Sequence, residues 1–326
     1  MQPHKKIKPL PFEWLTIIYA IATAIIILFT WNKLDSPLLQ VSGRIIVIGI
    51  MLLIIWVSAI KFPENRLALL IRILYQIALL PYWYPDIYEF NKLFPNLDHL
   101  FAHAEQLIFG FQPAVAFSQK FSSKWFSEAV YLGYFAYYPM IVGTILYGFF
   151  VKPGEVVKLT YIIMGGFFAF YLIFIFVPVA GPQFYFLAVG MQQVHQAVFP
   201  AVADYFNTHT EIMAGPGYTD GFFYHMIELV QAGGERPIAA FPSSHVGIST
   251  LLMMWLWNNG KKLFILMVPF YTLLCAATVY IQAHYLIDVF AGWMTAFVFY
   301  YFFSRRYEKR YAQIIDCYMI PILIKN

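Results

Sequence analysis

The residues best suited to chemistry are two histidines and an aspartate, each placed where a loop meets an apolar stretch. In Ala240-Phe241-Pro242-Ser243-Ser244-His245-Val246-Gly247 a short loop turns directly into a hydrophobic run. Serines at such a turn cap the free N–H groups of a helix, and the same helix start attracts anions. Ser243 and Ser244 are therefore candidates for holding a phosphate, with His245 beside it. Taken alone, the tripeptide better fits a plain helix cap with a histidine at a membrane interface. In Ala283-His284-Tyr285-Leu286-Ile287-Asp288 a histidine and an aspartate stand four positions apart, on one face if the segment is helical. An aspartate there can hold the imidazole tautomer and favour its charged form, which prepares a histidine as a nucleophile. The bland alternative is a structural buried ion pair. Asp288 falls about one turn inside an apolar run, where an ionisable group is costly and marks function by default.

The elements that position these groups follow from composition. The chain has 326 residues, of which 61% are hydrophobic, 20% aromatic and only 12% charged, about half the charged share of a soluble domain. A helix crossing the hydrocarbon core needs about 20 mostly apolar residues, and closed backbone hydrogen bonding makes such runs helical. The expected fold is an all-α integral membrane protein, a polytopic bundle of about eight transmembrane helices. The runs are Phe12 to Trp31, Ile45 to Ile60, Leu67 to Tyr84, Trp125 to Phe150, Leu159 to Val179, His245 to Trp257, Leu263 to Ile281 and Tyr285 to Phe303. Two long connections remain, from Pro85 to Lys124 and from Ala180 to Ser244. Lys5, Lys6 and Lys8, the Lys61 and Arg66 loop, the Lys152 and Lys158 loop, the Lys261 and Lys262 loop, and Arg305, Arg306, Lys309 and Arg310 all fall on one side. That side is cytoplasmic by the positive-inside bias, so both termini are cytoplasmic and the two long connections lie outside. The net charge of +4 sits in these short clusters rather than in one stripe, which excludes a nucleic-acid reading. Cys275 and Cys317 support neither a disulfide framework nor a thiolate metal site. The basic start leads into a run of full spanning length with no cleavage site behind it, so a signal peptide is not expected.

This topology brings the polar groups together. His245 begins the sixth run, the chain crosses, turns at Asn258 to Lys262, crosses back and reaches His284. Gly181-Pro182-Gln183 ends the fifth run on the same face. Helix ends that converge with polar groups are what a site requires. The stretch His103 to Phe117 reads as an interfacial helix or lid. His99 and His103, near Asp98 and Glu105, read as its polar face rather than as metal ligands, and no metal or other cofactor is expected. His195, His209 and His225 read as surface or head-group contacts. Arg72 and Gln76 in the third run are one turn apart and face the interior, with no partner assigned.

With these motifs the chain resembles the type 2 phosphatidic acid phosphatase superfamily of membrane phosphatases and phosphotransferases. Pro242-Ser243-Ser244-His245 looks like its second motif, and His284 with Asp288 like the His-x-x-x-Asp of its third. The resemblance implies a six-helix catalytic core over 67–303, two added spans over 1–66 and a tail over 304–326, within one membrane domain. It further implies that His284 attacks phosphorus, Asp288 orients it and His245 protonates the leaving oxygen. The chain departs from the phosphatase pattern, which has Ser-Arg where Ala277 and Thr278 stand, and a lysine, six residues, then Arg-Pro where Val177 to Gln183 stand. Those departures resemble the branch of inositol phosphorylceramide synthases and other sphingolipid synthases. The implied activity is transfer of a phospho-head group, such as phosphoinositol, from a glycerophospholipid to a ceramide-type acceptor. Lipid phosphate or pyrophosphate hydrolysis is the alternative, and a non-catalytic lipid transporter or binding protein is the alternative of another class. Membrane lipids are the expected partners, and the short loops point to a bacterial inner membrane with a periplasm-facing site. Phosphoryl transfer develops charge that fixed donors must meet. With the arginines gone, Arg236 is the expected substrate-binding cation, with Lys120 and Lys124 behind it; a solvated loop arginine is the alternative.

Overall fold

The computed structural model describes residues 8–63 and 65–312, so Lys5, Lys6 and Cys317 lie outside the described residues. Every regular element among the described residues is helical. In chain order they are α1 (Pro11–Thr30), α2 (Pro37–Lys61), α3 (Arg66–Ala78), α4 (Leu80–Asn91), α5 (Asp98–Phe109), α6 (Pro113–Lys120), α7 (Lys124–Phe135) and α8 (Tyr137–Val151). They continue with α9 (Val156–Phe176), α10 (Pro182–Val189), α11 (Met191–His195), α12 (Phe222–Ala232), α13 (Ser244–Asn259), α14 (Lys261–Tyr280) and α15 (Leu286–Arg310).

All eight apolar runs fold as helices, and the protein is a multi-pass integral membrane protein. Six stretches are long and apolar enough to span: Pro11–Lys33, Pro37–Lys61, Arg66–Asn91, Val156–Phe176, Lys261–Tyr280 and Leu286–Arg310. A seventh is the pair α7 and α8, bent by 44° at Ala136. The eighth, α13, has 16 residues, a rise of about 24 Å, short of a full hydrocarbon core. Large apolar side chains such as Leu28, Ile45, Ile265 and Phe297 are exposed along these helices, as a hydrocarbon surround requires. The connection from Pro85 to Lys124 contains the end of α4, then α5 and α6, and the one from Ala180 to Ser244 contains α10, α11 and α12.

The chain forms two compact units. One comprises the described parts of Met1–Asp86, Ile145–Phe168 and Phe299–Asn326. Within it several buried polar residues pair with one another. The Arg72 guanidinium donates to both oxygens of Glu13, at 2.8 and 2.5 Å, and Glu13 also accepts the Leu10 N–H at 2.6 Å. Thr16 donates to the Gln76 carbonyl oxygen at 2.5 Å. The partners missing for Arg72 and Gln76 are thus residues of α1. Arg44 donates to Asp86 at 2.6 Å and to Thr23 at 3.1 Å. A buried charge without such pairing would cost several kcal/mol.

The other unit comprises Ile87–Thr144 and Ala169–Val298. It holds the end of α4, α5 to α7, the first half of α8, the C-terminal part of α9, α10 to α14 and the first half of α15. Small residues allow close helix approach here: a Cβ on Gly292 would stand 2.7 Å from the Ser243 carbonyl oxygen, and one on Gly133 2.5 Å from the Leu273 side chain.

Candidate active site

Three loops of this second unit are stitched edge to edge by backbone hydrogen bonds. The loop after α9 meets the loop before α13 where Ala240 N–H donates to the Val179 carbonyl at 2.9 Å. It meets the loop before α15 where Gln183 N–H donates to the Gln282 carbonyl at 2.7 Å. Ser243 N–H closes the set by donating to the Asp288 carbonyl at 3.0 Å. Gly181 has φ +95° and ψ 164°, a region essentially confined to glycine, and a Cβ there would collide with the Ala283 carbonyl oxygen. The sequence places glycine at this crossing because the two loops touch through their backbones.

His284 stands in the loop between α14 and α15 and is 3% exposed. Its Nδ1 lies 2.7 Å from the Ala240 carbonyl oxygen, which can only accept, so Nδ1 carries the proton and Nε2 keeps a free lone pair. That lone pair faces Nδ1 of His245 at 3.5 Å. Burial pushes the His284 ring down to about 4, against the Ala240 bond and the charge of Glu235, which both favour protonation. A neutral ring with Nε2 unprotonated is the nucleophilic form. Asp288 Oδ2 stands 3.7 Å from His284 Nδ1 and accepts the Tyr285 N–H at 2.8 Å. The tautomer expected to be fixed by the aspartate is fixed more closely by a backbone carbonyl, with Asp288 behind it.

His245 sits at the first turn of α13, where Ser243 Oγ accepts the Val246 N–H at 3.4 Å and caps the helix. Two aromatic rings flank it. Tyr134 stacks at 4.7 Å between centroids and Tyr137 tilts against it at 4.5 Å. These tyrosines lie on the two sides of the bend at Ala136, so the break between α7 and α8 is what presents both to one imidazole.

The stretch expected as one interfacial helix or lid, His103 to Phe117, is instead the end of α5 and the start of α6, broken at Gly110 with φ +77°, and α5 braces the site. Asp98, fully buried at the start of α5, accepts from Ala180 N–H at 2.6 Å, Gly181 N–H at 2.8 Å, Asn96 Nδ2 at 2.6 Å and Tyr285 Oη at 3.0 Å. One carboxylate thereby ties the loop after α9 to the residue following His284. Two turns on, Glu105 Oε1 accepts the Ile287 N–H at 3.1 Å at the start of α15. Burial pushes Glu105 up to about 8, with the charge of Asp288 adding to the rise and the Ile287 and Leu286 N–H groups opposing it. Asp98, Ala102 and Glu105 share one buried face, a spacing visible in the sequence as acid, small, acid at i, i+4 and i+7.

The remaining expected site residues divide. Ser243, Gln183 and Pro182 are buried in the stitched loops, while Ser244 and His245 are partly open at the α13 start. Gln183 accepts from Gln231 Nε2 at 3.3 Å through its side chain and from Met213 N–H at 3.0 Å through its carbonyl, so it braces the connection from Ala180 to Ser244. Arg236 is exposed, and its Nη1 donates to the Glu235 carbonyl at 3.4 Å. The neighbour that interacts electrostatically with His284 is Glu235, whose carboxyl burial pushes up to about 7 while His284 pulls it down. Lys124 lies over the Tyr218 ring at 5.0 Å. His103 meets Phe199, His209 stacks on Tyr205, and His225 lies 3.1 Å from Glu228. Among the described residues no group of three or more His, Cys, Asp or Glu is arranged to hold a metal ion.

A buried histidine, His284, faces a partly open one, His245, and is backed by a carboxylate at the meeting of helix ends in a helical membrane protein, an arrangement suited to the phosphatase and phosphotransferase class of membrane enzymes. Residues 98–302 match the PAP2 superfamily, more than half of the chain. The protein belongs to that superfamily, and its function is of the lipid phosphatase or phosphotransferase type. The match begins at Asp98, the residue that ties the loops together. Neither curated proteins nor solved structures give a match.

Proposed function

We propose that the protein moves a phospho-head group, such as phosphoinositol, from a glycerophospholipid to a ceramide-type alcohol by double displacement at His284. The observation that carries this reading is the free Nε2 of His284 facing His245 while Nδ1 is held by Ala240. In the first step Nε2 forms the N–P bond, the P–O bond to glycerol breaks, and His245, neutral until it takes up a proton from solvent as the anionic head group enters, gives that proton to the departing oxygen. In the second, His245 takes the proton of the acceptor hydroxyl, the new P–O bond forms, and the N–P bond breaks. In-line transfer sets phosphorus and the leaving oxygen between the two rings, a wider gap than 3.5 Å. Turning of His245 between Tyr134 and Tyr137 accompanies entry of the head group.

Transfer to an alcohol rather than to water is supported by α14. Ala277 and Thr278, where the phosphatase pattern has Ser-Arg, are fully buried, and Thr278 Oγ1 donates to the Cys275 carbonyl at 2.9 Å. Neither side chain is placed to hold a phosphate. The α13 N-terminus at Ser244 and His245 supplies the N–H groups and dipole for the phosphoryl oxygens. The site would face the periplasm of a bacterial inner membrane.

The test incubates purified protein with labelled phosphatidylinositol, with and without ceramide, beside His284→Ala. Ceramide-dependent transfer, lost in the variant and accompanied by an acid-labile label on wild-type protein, is expected. Release of head group without acceptor assigns hydrolysis instead, and full activity of His284→Ala refutes the nucleophile.

A further inference from the structure

An apolar groove of about 450 Å³ runs between α6, α14 and α15. Its walls include Phe117, Ala276, Val279, Leu286 and Trp293, and Lys120 is the charged residue among the described residues lining it. The groove adjoins the catalytic groups through its inner wall. Val279 and Val289 pack with Val246 and Ala114 in one small buried cluster; Val246 follows His245 and Val289 follows Asp288. On the α6 side, Gln282 Nε2 donates to Ser118 Oγ at 3.1 Å, which fastens α6 to the loop that carries His284. From Leu286, two residues past His284, to Trp293 the wall descends about 10 Å along α15.

We propose that this groove seats one acyl chain of the glycerophospholipid donor, with Lys120 against the phosphodiester of that same lipid, and that it sets the donor's chain-length preference. Charge selects the occupant. A ceramide is uncharged and offers Lys120 no anionic partner, whereas the phosphodiester of the proposed donor carries a negative charge, which a basic residue near the membrane surface attracts. Lipid tails are as apolar as the side chains that line the groove, so a chain gains little by leaving the bilayer for it. The groove therefore discriminates by fit: a chain that fills about 10 Å of wall is seated in register with His284, and one that does not is held loosely.

The consequence for turnover rests on the phosphotransfer reading, but occupancy does not, so two readouts are used on the full chain in mixed micelles. The first is photo-crosslinking by phosphatidylinositol bearing a diazirine midway along one acyl chain, with the labelled peptides identified by mass. Label is expected on the segments of α14 and α15 around Ala276, Val279, Leu286 and Trp293. It should fall more than fivefold in Ala276→Trp, which fills the groove, and severalfold at low salt in Lys120→Glu, a change at an exposed position. Label spread evenly over the apolar helices, or unchanged in both variants, overturns the proposal. The second readout is turnover across donors of graded chain length. The ratio of long-chain to short-chain turnover should drop at least fivefold in Ala276→Trp, and an unchanged ratio removes the chain-length claim. Groove labelling in a protein that turns over no lipid would keep the site and refute the phosphotransfer reading.

Discussion

Glu105→Gln tests the electrostatics at the start of α15. Glu105 is fully buried; one carboxyl oxygen accepts the Ile287 N–H at 3.1 Å, and the other has no hydrogen-bond partner. Burial and the nearby Asp288 raise its pKa from 4.5 to about 8, so the protonated acid prevails at neutral pH. A folded-state value above the unfolded one means that the native protein holds the proton more tightly. The stabilisation is then complete below about pH 4.5 and is lost as pH rises through 8. Between pH 7 and pH 9 the wild-type protein crosses that value, and at 1.36 kcal/mol per unit the loss comes to about 1.4 kcal/mol. Glutamine keeps a carbonyl oxygen for Ile287 and cannot ionise. Glu105→Gln should match the wild type below about pH 4, where the acid is neutral both folded and unfolded, and be more stable by about 3.4 kcal/mol at pH 7 and by about 1.4 kcal/mol more at pH 9, as read by denaturant unfolding in detergent at each pH. Equal losses in the two proteins, or a variant destabilised at pH 7 by more than about 2 kcal/mol, would show that Glu105 is ionised at neutrality and refute the reasoning.

Other substitutions probe the stitching and the charge. Asp98→Asn removes a carboxylate that serves four donors and should cost about 3 kcal/mol or more, with turnover falling faster than lipid binding as the loop at Gly181 drifts from Tyr285; unchanged unfolding would refute the brace. Gly181→Ala combines a forbidden backbone region with a collision at Ala283, costs about 1–3 kcal/mol in strain alone, and should fail to accumulate in membranes, where wild-type yield would refute it. Because burial pushes His284 down to about 4, the acid limb of the kcat/KM profile should fall near that value; a limb at the ordinary 6.5 would place the nucleophile elsewhere. Glu235, pushed up to about 7, gains negative charge beside the site as pH rises. Glu235→Gln should therefore abolish a rise in KM for an anionic donor between pH 6 and pH 8, and a rise that persists would exclude Glu235.

The helices and the pairing of His245 with His284 were legible because both rest on patterns within short windows: apolar run length, and helix ends counted back to one face. The tally of six spans, or seven with the bent pair, and the 16-residue α13 depart from eight full crossings, because the run from His245 to Trp257 holds only 13 residues, fewer than the roughly 20 a crossing needs. The Ala240 carbonyl left no trace, since any residue type supplies a carbonyl, and its approach to His284 depends on a bond between backbones 61 residues apart, from Ala240 to Val179. Asp98 was visible as an acid near histidines, but its partners are backbone N–H groups 82 and 83 residues away, which carry no side-chain signature. Arg236 was expected from the charge that phosphoryl transfer requires. The loop instead turns Glu235 inward and leaves the guanidinium exposed.

That inversion makes sense of the whole charge arrangement. On the proposed function, Asp98, Glu105, Glu235 and Asp288 surround a site for an anionic head group, an arrangement that would repel it if all four were ionised. Asp98 spends its charge on four donors turned away from His284. Glu105 and Glu235 are held near or above neutrality, so much of their charge is absent at physiological pH. Asp288 keeps one oxygen on the Tyr285 N–H and stands behind the nucleophile rather than in front of it. The face of His284 that meets phosphorus is thus left to Nε2, His245 and the positive end of α13, whose attraction for an anion is strongest within its first turn. A site built this way needs no arginine to bind a singly charged phosphodiester.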